Sequence, residues 1–201
     1  MKKQVPLAKR LWLITDLHHN HEGMVTLCGR PKNFSERIVK HWKSHVSPKD
    51  TIVCLGDICI GNDKEVHEKY IQPLPGFKIL VRGNHDRRTD GWYEGHGWDV
   101  CCDRIQFDRF GKRVLLSHKP PSASDDYDFA CHGHWHNTVT SKDYSVDGKR
   151  YCLSLEYEEY KPILLQTFME RVLKPKKLAG IGPYKDVKRK ASVTNAAPIC
   201  L

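Results

Sequence analysis

Five short apolar runs, each cut off by a polar cluster rich in Asp, His or Asn, restrict this chain more than any other feature. Leu11 to Thr15 runs into Asp16, Thr51 to Leu55 into Gly56-Asp57, and Phe77 to Val81 into Gly83-Asn84-His85-Asp86. Arg113 to Leu116 leads to Ser117-His118, and Asp128 to Cys131 leads to His132-Gly133-His134-Trp135-His136. Their apolar character is continuous rather than alternating, which marks strands covered on both faces and hence an α/β or layered sheet fold. Between the first two runs, Asn33-Phe34-Ser35-Glu36 has the form of a capping box. Phe34, Ile38, Val39, Trp42 and Val46 then follow a helical period, predicting a helix from about Ser35 to His45. Asn62-Asp63-Lys64-Glu65 opens a second helix carrying Val66, Tyr70 and Ile71, closed by Pro73 and Pro75. This β-α-β-α-β order implies a parallel start to the sheet with right-handed crossovers. Further on, Arg104 to Phe110 reads as a strand turning through Gly111-Lys112 into the next one. Tyr151 to Tyr157 reads as another strand, and Pro162 to Leu173 as a terminal helix with Pro in its first turn.

Ligands of open α/β sheets gather at the carboxyl ends of strands. Asp16, His18, Asp57, Asn84, His118, His134 and His136 all fall at such ends. Two divalent cations about 3.5–4 Å apart clamp a phosphoryl group and lower the pKa of a bridging water toward neutrality. A site that holds them needs hard oxygen donors, neutral imidazoles and a carboxylate able to bridge. The seven residues supply that mixture. Singly, each is weak: a His or Asp beside a strand is usually a surface or hydrogen-bonded structural group, and His-x-His can arise by chance in a chain with 12 histidines. Their ordered conjunction points to a metal centre. His19, His21 and His132 crowd the same loops, but neighbours on an extended segment point opposite ways, so solvent-facing or phosphate-contacting roles are expected of them. Arg82, Arg87 and Arg88 flank the Gly-Asn-His-Asp loop, where they could touch phosphate, neighbouring backbone or only solvent.

The series from Thr15-Asp16-Leu17-His18 to Gly133-His134-Trp135-His136 resembles the motifs of the calcineurin-like metallophosphoesterases. Cys28-Gly29-Arg30-Pro31 and Tyr160-Lys161-Pro162 are similar to segments of small bacterial and phage members without a large cap, so the resemblance spans about residues 10–170. It implies a β-sandwich flanked by helices, α/β in class. It also implies one metal held by Asp16, His18, Asp57 and His136 and a second by Asp57, Asn84, His118 and His134, with Asp57 as the bridge. Hydrolysis would proceed by attack of a metal-bridging hydroxide, with His85 giving a proton to the leaving alkoxide and Asp86 orienting it. An imidazole suits such work, because its pKa lies near operating pH. The other readings of His85 are an additional ligand or a phosphate-binding group. One departure narrows the substrate: protein Ser/Thr phosphatases of this superfamily carry an arginine shortly after Gly-Asp, whereas here Gly56-Asp57 runs into Ile58-Cys59-Ile60-Gly61-Asn62. Oxygen and imidazole donors without thiolates favour Mn²⁺, or Fe with Mn²⁺, and also accommodate Zn²⁺ or Ni²⁺.

At 201 residues the chain suits one domain. Residues 1–173 are expected to form it, and 174–201 to be a basic, flexible tail. The net charge of +9 sits mostly at the end, since residues 171–201 carry eight Lys/Arg against one acid, leaving +2 for the rest. That tail makes a nuclease the alternative to an enzyme acting on a small nucleotide-like or organic phosphate ester; a metal-bound docking scaffold is disfavoured by the presence of His85. The eight cysteines are scattered without a Cys-x-x-Cys pair, which fits reduced thiols rather than a disulfide framework or thiolate zinc site. The apolar stretch before Asp16 is too short for a signal-peptide core and no run is long enough to span a bilayer, so a cytoplasmic location without membrane contact is expected.

Overall fold

The computed structural model describes residues 7–174. Residues 175–201, and the expectation of a flexible tail there, lie outside the described residues. Strands β1 (Leu11–Ile14), β2 (Thr51–Cys54), β3 (Phe77–Val81) and β4 (Val100–Cys102) pair in parallel, in the order β4-β3-β2-β1. A two-residue β9 (Ile163–Leu164) adds antiparallel to β1. Every residue of β1 and β2 is buried, because the two faces of this sheet pack on different partners. One face, with Trp12, Ile14, Ile52, Cys54 and Leu80, meets Ile38 and Trp42 of α2 (Phe34–His45), together with Val66, Tyr70 and Ile71 beyond β2. The opposite face, with Leu13, Val53, Leu55, Ile79 and Val81, packs on Ile105, Phe107, Val114, Leu116 and Phe129 of a second sheet. That sheet runs β5 (Arg104–Arg109), β6 (Lys112–Ser117), β7 (Phe129–His132) and β8 (Arg150–Cys152), antiparallel at β5 and parallel thereafter. Helix α5 (Leu165–Val172) inserts Leu165, Phe168 and Met169 at the side of the sandwich. The expected α/β sandwich with flanking helices is therefore the fold. Short helices α1 (Gly23–Leu27), α3 (Asp63–Val66) and α4 (Asp90–Glu94) lie in the connections.

Local departures from the sequence reading have physical causes. Asn33 stands before α2 but makes no side-chain cap bond; Phe34 N–H donates to Pro31 C=O at 2.9 Å instead. After α3 the chain widens into a π-helical turn over His67–Ile71. The β5–β6 hairpin closes through Phe110 and Gly111 at φ 53° and 69°, the pair of positive angles that a two-residue turn needs to match strand twist. Strand β8 ends at Cys152 rather than Tyr157, since Glu156 is drawn inward to the buried Arg30. Pro162 leads into β9, not into a helix, because Ile163 pairs with Leu13. The seven cysteines among the described residues are free thiols. No helix of the described residues is long and apolar enough to cross a membrane.

Candidate metal centre

The carboxyl ends of β1, β2 and β3 meet those of β6 and β7, and the chain leaves these strands through sharp turns. Five of the seven predicted ligands have positive φ: Asp16 (51°), His18 (46°), Asp57 (57°), His134 (71°) and His136 (49°). Non-glycine residues seldom adopt this conformation, and each instance costs roughly 1–3 kcal/mol, so their concentration here means that surrounding structure over-determines how these side chains are aimed. Backbone bonds from Asp16 N to Gly56 O (2.9 Å) and from His18 N to Asp57 O (3.0 Å) lock the first loop onto the second. A Cβ at Gly83 would strike the Asp57 carboxylate, and one at Gly133 would strike Thr15 and the Asp16 carboxylate. The glycines of Gly-Asn-His-Asp and Gly-His-x-His are thus close-approach positions.

Ligand-type atoms gather in two groups, Asp57 with His118 and His134, and Asp16 with His18 and His136; within each group the atoms lie within 4.8 Å of one another. In the first group, His118 Nδ1 lies 2.7 Å from Leu55 O. A carbonyl only accepts, so Nδ1 carries the proton and Nε2 presents a lone pair. Around Nε2 stand Asn84 Oδ1 at 3.0 Å, His134 Nδ1 at 3.2 Å and Asp57 Oδ2 at 3.3 Å. Lone pairs converging so closely call for a shared positive centre. In the second group, His18 is buried with no hydrogen-bond partner on either ring nitrogen among the described residues. Such an orphaned polar group costs about 1–3 kcal/mol unless something else satisfies it. Its Nε2 lies 3.7 Å from Asp57 Oδ2, and His136 Nε2 lies 3.7 Å from Asp16 Oδ1. The donor set therefore fits hard or borderline divalent cations.

Electrostatics agree with that assignment. Burial drives the pKa of His18 down to about 3, keeping it neutral as a ligand must be. At Asp57 burial pushes upward, but the His118 hydrogen bond, the His118 charge and the His85 amide outweigh it and bring the carboxyl to about 2. Burial lowers His118 and His136, yet the carboxylates beside them prevail and raise both. Those carboxylates draw positive charge to the spot, whether a proton or a metal. Burial raises Asp16, whose carboxylate nonetheless accepts from Thr15 Oγ1 at 2.6 Å and from His134 N at 3.0 Å.

Two residues at this site escaped the sequence reading. The side chain of Arg30 has no solvent exposure. Its Nη1 donates to Leu17 O at 3.0 Å, its Nη2 to Asp16 O at 2.8 Å, and its Nε and Nη2 to Glu156 Oε1 at 2.8 and 2.6 Å. Glu156 Oε1 also lies 3.2 Å from His136 Nδ1, and Oε2 accepts from Ser154 Oγ at 2.8 Å. Burial pushes Glu156 up, but the His136 bond and the Arg30 charge hold it at about 2. Arg30 stood out only within a family-like segment, and Glu156 carried no signal, because its partner is 126 residues away. Cys28 approaches Glu156 and His136 within 4.8 Å. Burial and the Glu156 charge push its thiol up to about 11, a poor state for a ligand.

His85 sits at the open edge. Its amide donates to Asp57 Oδ1 at 2.9 Å, and its ring centroid is 5.6 Å from that of His18. It lines a cavity of about 460 Å³ with Ile60, Gly61, Asp63, Arg87 and Arg88. Asp86 does not meet the His85 ring as expected. Its Oδ2 accepts from Asp57 N and Gly83 N, both at 2.7 Å, and its Oδ1 from Ile58 N at 3.0 Å, so it staples two ligand loops together. His19 and His132 are buried rather than solvent-facing. A backbone bridge to Cys59 draws His19 in, where it stacks on Tyr70 at 4.6 Å, while His132 closes β7 with Nδ1 donating to Gly133 O. Arg82 is tied to Asp90 and Asp103, and Arg88 to Asp63.

Known proteins are similar to this chain in sequence and, where solved, in fold. The Gene 66 protein of Mycobacterium phage L5 is 30% identical over 161 residues, covering 64% of this chain and 78% of the relative. An uncharacterized protein of Methanocaldococcus jannaschii is 27% identical over 177 residues, covering 84% of this chain and 94% of the relative. Among solved structures, a protein of unknown function from Aquifex aeolicus is 27% identical with a TM-score of 0.63, covering 81% of this chain and 98% of that one. The model of the calcineurin-like phosphoesterases matches residues 9–151, a span that takes in every ligand-type residue of both groups. With most of its length matched and its strand ends built to receive divalent metal, the chain belongs to the calcineurin-like phosphoesterase family and to its metal-dependent hydrolysis of phosphate esters.

Proposed function

We propose that this protein hydrolyses small phosphodiesters or phosphomonoesters with a pair of divalent cations. Asp16, His18, Asp57 and His136 would hold one, and Asp57, Asn84, His118 and His134 the other, with Mn²⁺ the favoured metal. The observation that carries this reading is the placement of Asp57: its Oδ2 lies 3.7 Å from His18 Nε2 and 3.3 Å from His118 Nε2, while its Oδ1 is fixed by the His85 amide. One carboxylate oxygen thus faces both groups of ligands. When bound, two cations would polarise the phosphoryl oxygens and bring a water near to ionisation at neutral pH. The chain supplies the rest. Thr15 and the His134 amide orient the Asp16 carboxylate, Asp86 holds the two loops in register, and His85 stands beside the open cavity to give its proton to the leaving oxygen. The cavity has room for a small leaving group. Free cysteines suit a reducing compartment, so we place the protein in the cytoplasm.

A second reading, a nuclease, is favoured by the +7 charge of residues 171–201, which suits contact with backbone phosphates. Both readings are tested by one panel: bis-p-nitrophenyl phosphate, p-nitrophenyl phosphate, cyclic nucleotides and labelled oligonucleotides, each with Mn²⁺ and with chelator. Cation-dependent cleavage of the small esters supports the first reading, and preferential cleavage of oligonucleotides supports the second. Failure to cleave any ester with any divalent cation would overturn both.

A further inference from the structure

We infer that the Arg30–Glu156 pair is the positioning device of one cation position, that of Asp16, His18 and His136, and that the other position does not depend on it. The inference rests on the metal centre proposed above. A single buried guanidinium reaches all three residues of this group. Through Leu17 O and Asp16 O it pins the turn that carries Asp16 and His18, both at positive φ. It touches His136 directly, with Nη2 3.4 Å from Nδ1, and reaches it through Glu156, whose Oε1 is nearer at 3.2 Å: with Oε1 taking the proton on Nδ1, Nε2 is left as the lone pair facing Asp16. Oε1 is in turn held by Arg30 Nε and Nη2, and Oε2 by Ser154. Neither rotation of the imidazole nor relaxation of the turn is open while the pair stands. The second group obtains the same orientation without these residues, since His118 Nδ1 rests on the Leu55 carbonyl and Asp86 secures the loops of Asp57 and Gly83.

A purely structural role makes a different prediction. Replacing a buried ion pair as a unit with apolar residues of similar size is often neutral for stability, whereas removing one partner strands a buried charge. The double variant Arg30→Met/Glu156→Leu should therefore stay folded while losing the orientation of His136 and of the Asp16–His18 turn. Loss of an outer partner of a metal ligand lowers affinity about 10–100-fold.

The test is Mn²⁺ titration of metal-free protein by calorimetry, with melting curves on the same samples. The double variant and Glu156→Asp are titrated beside wild type, which should show two sites. One of these should weaken about 10–100-fold in both variants, with the second unchanged. Glu156→Asp keeps the charge but draws the carboxylate one methylene back from His136, so it serves if the double variant fails to fold. His118→Ala should show the complementary pattern, weakening the other site. Two sites of wild-type affinity in a folded Glu156→Asp or double variant would overturn this inference alone. Equal weakening of both sites would overturn the claim that the second position does not depend on the pair. A wild-type protein that binds no Mn²⁺ would sink the metal centre itself, and this inference with it.

Discussion

The two halves of the metal centre meet the same requirement by different means. Each needs a histidine whose Nδ1 is held from behind so that Nε2 faces inward. For His118 the holder is the backbone carbonyl of Leu55, fixed by its place after β2. For His136 it is the side chain of Glu156, which stands in a turn and is itself gripped by Arg30. A backbone holder comes with the sheet and survives any substitution at its own position. A side-chain holder joins three distant segments and can be undone by one residue. The first half of the centre is therefore a product of sheet geometry, and the second of buried charge pairing.

Variants that probe this contrast differ widely in the size of their expected effects. The largest effect is expected where the halves join: Asp57→Asn removes the charge that faces both groups, so metal analysis should find both cations lost and ester hydrolysis at background. Retention of two ions at full activity would remove the bridge from the account. Next, His85→Ala should leave both halves loaded while slowing turnover about 10²- to 10⁴-fold, the usual worth of a general acid. The deficit should shrink for esters with good leaving groups, and loss of a cation in this variant would make His85 a ligand instead. The smallest effect belongs to the basic end of the chain. Deleting residues 175–201 should leave hydrolysis of p-nitrophenyl esters unchanged, because every proposed ligand of both halves lies between Asp16 and His136. If the segment grips nucleic acid, the deletion should flatten the log-log salt dependence of oligonucleotide binding by about 0.9 per lost contact on duplex DNA. Lost ester hydrolysis would mean that these residues support the centre.

The same contrast explains what could be read from the chain alone. Asp16 directly follows an apolar run, and Asp57 and His118 follow theirs after one residue; a strand that ends in a donor places it at the sheet edge where ligands gather. Phe77–Val81 matched its strand although Lys78 interrupts the run, because the rest is apolar and largely buried and Lys78 Nζ is satisfied by the carbonyls of Ile71 and Leu74. Glu156 was invisible for the opposite reason. It lies in a turn, and its role exists only through Arg30 and His136, which the fold brings to it. Asp86 shows how adjacency misleads: next to His85 in sequence, it points at the amides of Asp57, Ile58 and Gly83. The positive φ of five ligand-type residues was equally hidden, since Asp and His do not announce it as glycine does.

In the proposed centre Asp57 joins two cation positions into one. Electron paramagnetic resonance of protein loaded to saturation with Mn²⁺ tests it most directly, because two Mn²⁺ ions sharing a carboxylate bridge are magnetically coupled and isolated ions are not. Wild type should give a coupled-pair spectrum that disappears in Asp57→Asn. A fully loaded wild-type protein showing only isolated single-ion Mn²⁺ signals would contradict the shared bridge.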